Sequence, residues 1–122
     1  AAEGNPGNII RPEDTQNFTL LMAEFRKQLD AVRPGLLLTF ASPAGKDNYS
    51  KIQLAKVSRY VDWINLMTYD LHGPWDTTTN FQANLLPSTK DPTSPRLSVA
   101  TTVAAYLKAG VPPRKIVVGA PF

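Results

Sequence analysis

The chain has 122 residues, of which 43% are hydrophobic and 19% charged, with a net charge of +3. That balance is globular and fits one domain with a modest core, and the 13 Lys and Arg are scattered, which argues against nucleic-acid binding. No apolar run approaches the ~20 residues needed to cross a membrane, and the start Ala1-Ala2-Glu3-Gly4-Asn5 has neither the basic nor the apolar region of a signal peptide. With no cysteine there is neither a disulfide framework nor a thiolate metal site, and a single histidine argues against a His-rich metal centre.

In chain order, residues 1–12 read as loop. Pro12-Glu13-Asp14 looks like a first helical turn, with proline where its missing N–H costs nothing and acids at the positive end of the dipole. Phe18, Leu21, Met22, Phe25 and Leu29 follow at helical spacing, and the helix should run to about Val32, before Pro34-Gly35. Leu36 to Ala41 is a short apolar run whose length and punctuation predict a fully buried strand. A weaker helical pattern covers Ser50 to Arg59. Residues 72–96, with Pro74, Pro87, Pro92 and Pro95, form a long irregular loop of the kind that often carries function. Leu97, Ala100, Val103, Ala104 and Leu107 predict another helix, ended by Gly110, and Lys115 to Gly119 a last buried strand.

Between the weak helix and the long loop lies Trp63-Ile64-Asn65-Leu66-Met67-Thr68-Tyr69-Asp70, continuing as Leu71-His72-Gly73-Pro74-Trp75-Asp76. Ile64, Leu66 and Thr68 alternate with Asn65, Met67 and Tyr69, so the two sets face opposite sides of a pleat. One set suits helices packed on a sheet. The other grows more polar towards Asp70, as expected where a barrel or cleft opens at the carboxyl end of a strand. The order helix, strand, helix, strand, helix, strand predicts parallel β/α units. Three parallel strands leave two open edges, and the chain ends straight off a strand. Both features lead us to expect an interior piece of a larger β/α protein.

Ile64-Asn65-Leu66-Met67-Thr68-Tyr69-Asp70-Leu71-His72-Gly73-Pro74-Trp75-Asp76 resembles the sixth barrel strand and following loop of family 18 glycoside hydrolases, the chitinases. Gly7-Asn8 through Arg11-Pro12-Glu13-Asp14 and Asn17-Phe18 resembles the segment after that family's catalytic strand. Leu38 to Gly45 is similar to its fifth strand, and Gly110-Val111-Pro112 with Lys115 to Phe122 to the approach to the seventh strand and that strand itself. The matches fall in order and cover essentially the whole chain.

The resemblance implies part of a (β/α)8 barrel and a substrate-assisted retaining mechanism, an exception to the two-carboxylate scheme. In that family a glutamic acid protonates the glycosidic oxygen, and the substrate's own N-acetyl carbonyl attacks the anomeric carbon. Tyr69 would then hydrogen-bond the N-acetyl carbonyl oxygen, and Asp70 the sugar near the cleaved bond. Met67 and Ala41 would line the pocket beneath that sugar, and Trp75 would stack on the sugar on the leaving-group side. The implied partner is chitin or a chitooligosaccharide, the implied location extracellular, and no cofactor or metal is called for. Complementary segments of the same barrel are a further expected partner.

One departure is plain. The family's Asp-x-x-Asp-x-Asp-x-Glu run is absent, and none of the ten carboxylates is a credible substitute. The 122 residues alone are therefore expected to hydrolyse nothing. A chitinase-like lectin that has lost the acid is the alternative from another class, and an endo-N-acetylglucosaminidase is a related enzyme reading. An unrelated α/β domain that binds a small cofactor finds little support, because no strand is followed by a Gly-x-Gly-x-x-Gly turn or a phosphate loop. Taken without the resemblance, Met67 reads as core filler, Asp70 as a cap on the Leu71–Gly73 turn, Trp75 as a loop anchor and His72 as structural.

Overall fold

The computed structural model describes residues 6–122. The residues Ala1 to Asn5 lie outside that range. Helix α1 (Asp14–Val32) leads to strand β1 (Thr39–Pro43), two one-turn helices α2 (Lys46–Tyr49) and α3 (Leu54–Val57), strand β2 (Trp63–Met67), helix α4 (Val99–Lys108), a 3-10 turn (Pro113–Lys115) and strand β3 (Ile116–Val118). The strands form one parallel sheet in the order β1-β2-β3, with Ala41 level with Asn65, Pro43 with Met67, and Asn65 with Val117.

The helices cover one face of that sheet. Ile64, Leu66, Val57, Val61, Leu54, Met22, Tyr106 and Val111 form the core, with Phe18, Phe40 and Ile116 packed against it. Each fully buried aliphatic side chain here contributes about 1.5–3 kcal/mol. Tyr106 ties α4 to the far strand: its hydroxyl lies 2.7 Å from Ser42 Oγ and donates to the Pro43 carbonyl at 2.7 Å. Lys115 Nζ donates to the Ser58 and Val61 carbonyls at 2.7 and 2.6 Å, satisfying acceptors just beyond α3.

Several expectations shift. The leucine run is not a fully buried strand. The β1 ladder begins at Thr39 and runs on through Ser42 and Pro43, while Leu37 is exposed. Leu36 and Leu38 instead pair with Arg26 and Asp62, the Leu38 carbonyl accepting the Asp62 N–H at 2.7 Å. Arg26 Nη2 donates to the Leu36 carbonyl, and the Leu38 N–H donates to Asp62 Oδ2. The helix expected over Ser50–Arg59 shrinks to the single turn of α3, because residues 50–53 are turn and bend that end in Gln53 at a non-helical ψ of 67°. In α1, Leu21 and Phe25 are half exposed, so the apolar stripe is wider than its contact with the sheet. β3 is an edge strand with Val117 and Val118 half exposed, not buried. α4 lies as expected, with Ser98 Oγ accepting from the Thr101 N–H and Gly110 left-handed at φ 90°.

Candidate active site

The alternation in β2 separates two environments. Ile64, Leu66 and Thr68 are at most 1% exposed beneath the helices, whereas Asn65, Met67 and Tyr69 are only half-buried on the opposite, uncovered face. Parallel pairing adds Ala41 and Val117 to that face, level with Asn65. The sheet thus brings Ala41, Met67 and Tyr69 onto one surface, with Asp70 at the carboxyl end of its central strand, where parallel sheets present their ligand sites.

Tyr69 is seated by a glycine that sequence inspection did not single out. A Cβ on Gly119 would come 2.9 Å from the Tyr69 ring and 2.5 Å from the Leu66 carbonyl oxygen. Without one, the Gly119 N–H donates to that carbonyl at 2.9 Å, and Thr68 Oγ1 donates to the Gly119 carbonyl at 2.7 Å. The continuation of β3 therefore runs directly against the phenol ring. Only the juxtaposition of strands in space reveals this contact.

At Asp70 the chain turns sharply. Its φ of 50° is left-handed, which costs a residue with a Cβ roughly 1 kcal/mol and is typical of functional sites. Its exposed carboxylate accepts from Gln82 Nε2 at 2.5 Å, and the Leu71 N–H donates to the Gln82 carbonyl at 2.8 Å. The Asp70 side chain is thus held by the returning loop and does not cap the Leu71–Gly73 turn. That cap is Asp76, whose Oδ2 accepts the Gly73 N–H at 3.0 Å. Trp75 rides on this turn with its indole over Gly73, where a Cβ would fall 2.5 Å from the ring, and it is 66% exposed. One face of the indole rests on backbone, which leaves surface for a flat ligand to stack on.

Buried His72 stands beside this turn, Nδ1 lying 3.2 Å from Asp76 Oδ2 and Nε2 3.5 Å from Asp91 Oδ2. A cavity of about 310 Å³ adjoins it, lined by Gly73, Asp76 and residues 77–80. A larger groove of about 610 Å³ lies between α1 and the loop after β1, lined by Phe18, Leu21, Pro43 and Ile52, and includes none of the candidate site residues. The described residues hold no cluster of three or more His, Cys, Asp or Glu suited to a metal ion.

Comparison with known proteins places the fold and the family. A family model described as glycosyl hydrolases family 18 matches residues 3–122. Chitinase A1 of Niallia circulans is 41% identical over 98% of the chain, and chitinase 1 of Aphanocladium album is 38% identical over 88%. The chain spans 18% and 27% of those two proteins, respectively. Among solved structures, chitinase ChiA74 from Bacillus thuringiensis superimposes with a TM-score of 0.93 at 40% identity, covering 99% of this chain and 20% of that one. A group IV chitinase of Ostrinia furnacalis, solved in complex with allosamidin, gives 0.86 at 34% identity, covering 99% of this chain and 33% of that one. The parallel sheet with its helices is part of a (β/α)8 barrel, and the chain belongs to glycosyl hydrolases family 18.

Proposed function

We propose that the protein containing these residues is a secreted chitinase that cleaves β-1,4-linked N-acetylglucosamine polymers with retention, the substrate's N-acetyl group acting as nucleophile. The observation that carries this reading is the seating of Tyr69: a phenol held against Gly119 at the end of β2, on the same face as Ala41 and Met67. A phenol donates one directed hydrogen bond, which suits it to fix an acetamido carbonyl for attack. Asp70, left-handed and exposed beside it, hydrogen-bonds the sugar at the cleaved bond. Ala41 and Met67 line the pocket floor, and Trp75 stacks on the leaving-group sugar. Chitin is uncharged, so an apolar floor, a phenol and an indole face match it better than a charged groove.

The proton donor belongs to an Asp-x-x-Asp-x-Asp-x-Glu run that the 122 residues do not contain. That absence makes a chitin-binding lectin the second reading, since every residue named here serves binding as well as cleavage. Chitohexaose incubated with the full-length protein, followed by proton NMR, separates the two. Release of products first in the β-anomeric form supports the retaining enzyme. Binding without products supports the lectin, and absence of binding refutes both.

A further inference from the structure

The proposed chemistry gives the buried imidazole of His72 no task. The His72 side chain is 5% exposed and lies between two carboxylates that belong to opposite ends of the long loop. Nε2 makes no hydrogen bond among the described residues, although the Asp91 carboxylate, itself 1% exposed, is 3.5 Å away. Burying an imidazole and a carboxylate together is costly unless each compensates the other.

Each carboxylate governs a different stretch of backbone. Asp76 closes the turn that carries Trp75: its Oδ2 accepts the Gly73 N–H, and its own N–H donates to the Gly73 carbonyl at 3.0 Å. Asp91 anchors the segment leading into α4. Its Oδ1 accepts from the Thr93 N–H at 2.8 Å and the Thr93 hydroxyl at 2.7 Å, and its carbonyl accepts from Arg96 Nε at 2.8 Å. The Thr93 backbone and hydroxyl donors, with a further contribution from His72, hold the Asp91 carboxyl below its ordinary range. Trp75, 66% exposed with its ring over Gly73, takes its orientation from the turn and not from a core.

The geometry points to His72 as a positioning residue that locks the Trp75 turn to the Asp91–Arg96 segment preceding α4, fixing the indole plane on which a chitooligosaccharide stacks. The inference rests on the reading of Trp75 as a sugar platform. The test uses the full-length protein, calorimetric affinity for thio-linked chitohexaose, which cannot be hydrolysed, and Trp75 emission taken as the difference from Trp75→Phe. His72→Ala should weaken affinity about ten-fold and shift Trp75 emission to the red. In the Trp75→Ala background the same change should add less than about two-fold, because the platform it orients is gone. Asp91→Asn, which keeps volume and the Thr93 hydrogen bonds, should reproduce the weaker affinity and red shift, and it carries the test if His72→Ala does not fold. Full additivity of His72→Ala with Trp75→Ala overturns the lock, as does wild-type affinity and emission in Asp91→Asn. Unchanged affinity in Trp75→Ala alone overturns the platform reading, and the inference with it.

Discussion

Tyr69, Gly119 and Asp70 show how a site residue depends on neighbours distant in sequence. The phenol was legible as a candidate because it ends the alternating run Asn65, Met67, Tyr69 beside a carboxylate. Its seat was not, since Gly119 meets it only after β3 pairs with β2. The same holds for Gln82, which reaches Asp70 from within an irregular loop that has no periodicity to read. Gly119→Ala puts a methyl group where the Leu66 carbonyl and the Tyr69 ring already stand, and such overpacking costs about 1–3 kcal/mol. In the full-length protein it should lower the melting temperature and cut chitohexaose turnover by at least about ten-fold, because a small displacement of a positioning group is expensive in rate. Wild-type turnover in Gly119→Ala would show that the contact does not set the phenol.

At the level of elements, α1, β2 and α4 were readable because each carries a long regular pattern or a clear stop, such as Gly110 after α4. Leu36 to Leu38 misled because an apolar run records hydrophobicity without recording which backbone groups find strand partners. Here Arg26 and Asp62 supply those partners instead. The gap between α2 and α3 likewise falls on residues 50–53, which end in the non-helical Gln53, in a stretch with little periodicity. The join between α4 and β1 rests on Tyr106, wholly buried, with its hydroxyl bonded to Ser42 and Pro43. Burial raises its pKa from 10.0 to about 12, so the folded state favours the neutral phenol. Its stabilising contribution is fully present below pH 10 and is lost as pH rises towards about 12. Melting curves should therefore show stability falling across that interval, with a smaller fall in Tyr106→Phe. At neutral pH the same variant should lose about 1–3 kcal/mol for the Ser42 and Pro43 groups left unpaired. An identical alkaline profile in both proteins would assign the loss elsewhere.

Across the whole molecule, the sheet order leaves β1 and β3 with one strand neighbour each among the described residues. Leu20, Leu21, Phe25, Leu37, Val117 and Val118 are all exposed. Edges and apolar surface of this kind invite pairing, in a barrel with the adjoining β/α units. Expressed by itself, the 122-residue segment should self-associate in sedimentation velocity or pair with complementary barrel segments, and it should give no chitobioside turnover above background. A monodisperse monomer would contradict the first expectation, and clear turnover the second. The open edges, read from the strand count, were legible in the sequence, as was the family, since the quoted motifs fall in order along the chain.

The central claim is that the phenol of Tyr69 fixes the substrate's acetamido carbonyl for attack. Initial-rate kinetics on chitohexaose with full-length Tyr69→Phe tests it most directly. Removing one hydroxyl should lower kcat by about 100-fold or more while KM changes only a few-fold, because the bond is needed chiefly in the transition state. A kcat equal to that of the unaltered protein would contradict the account.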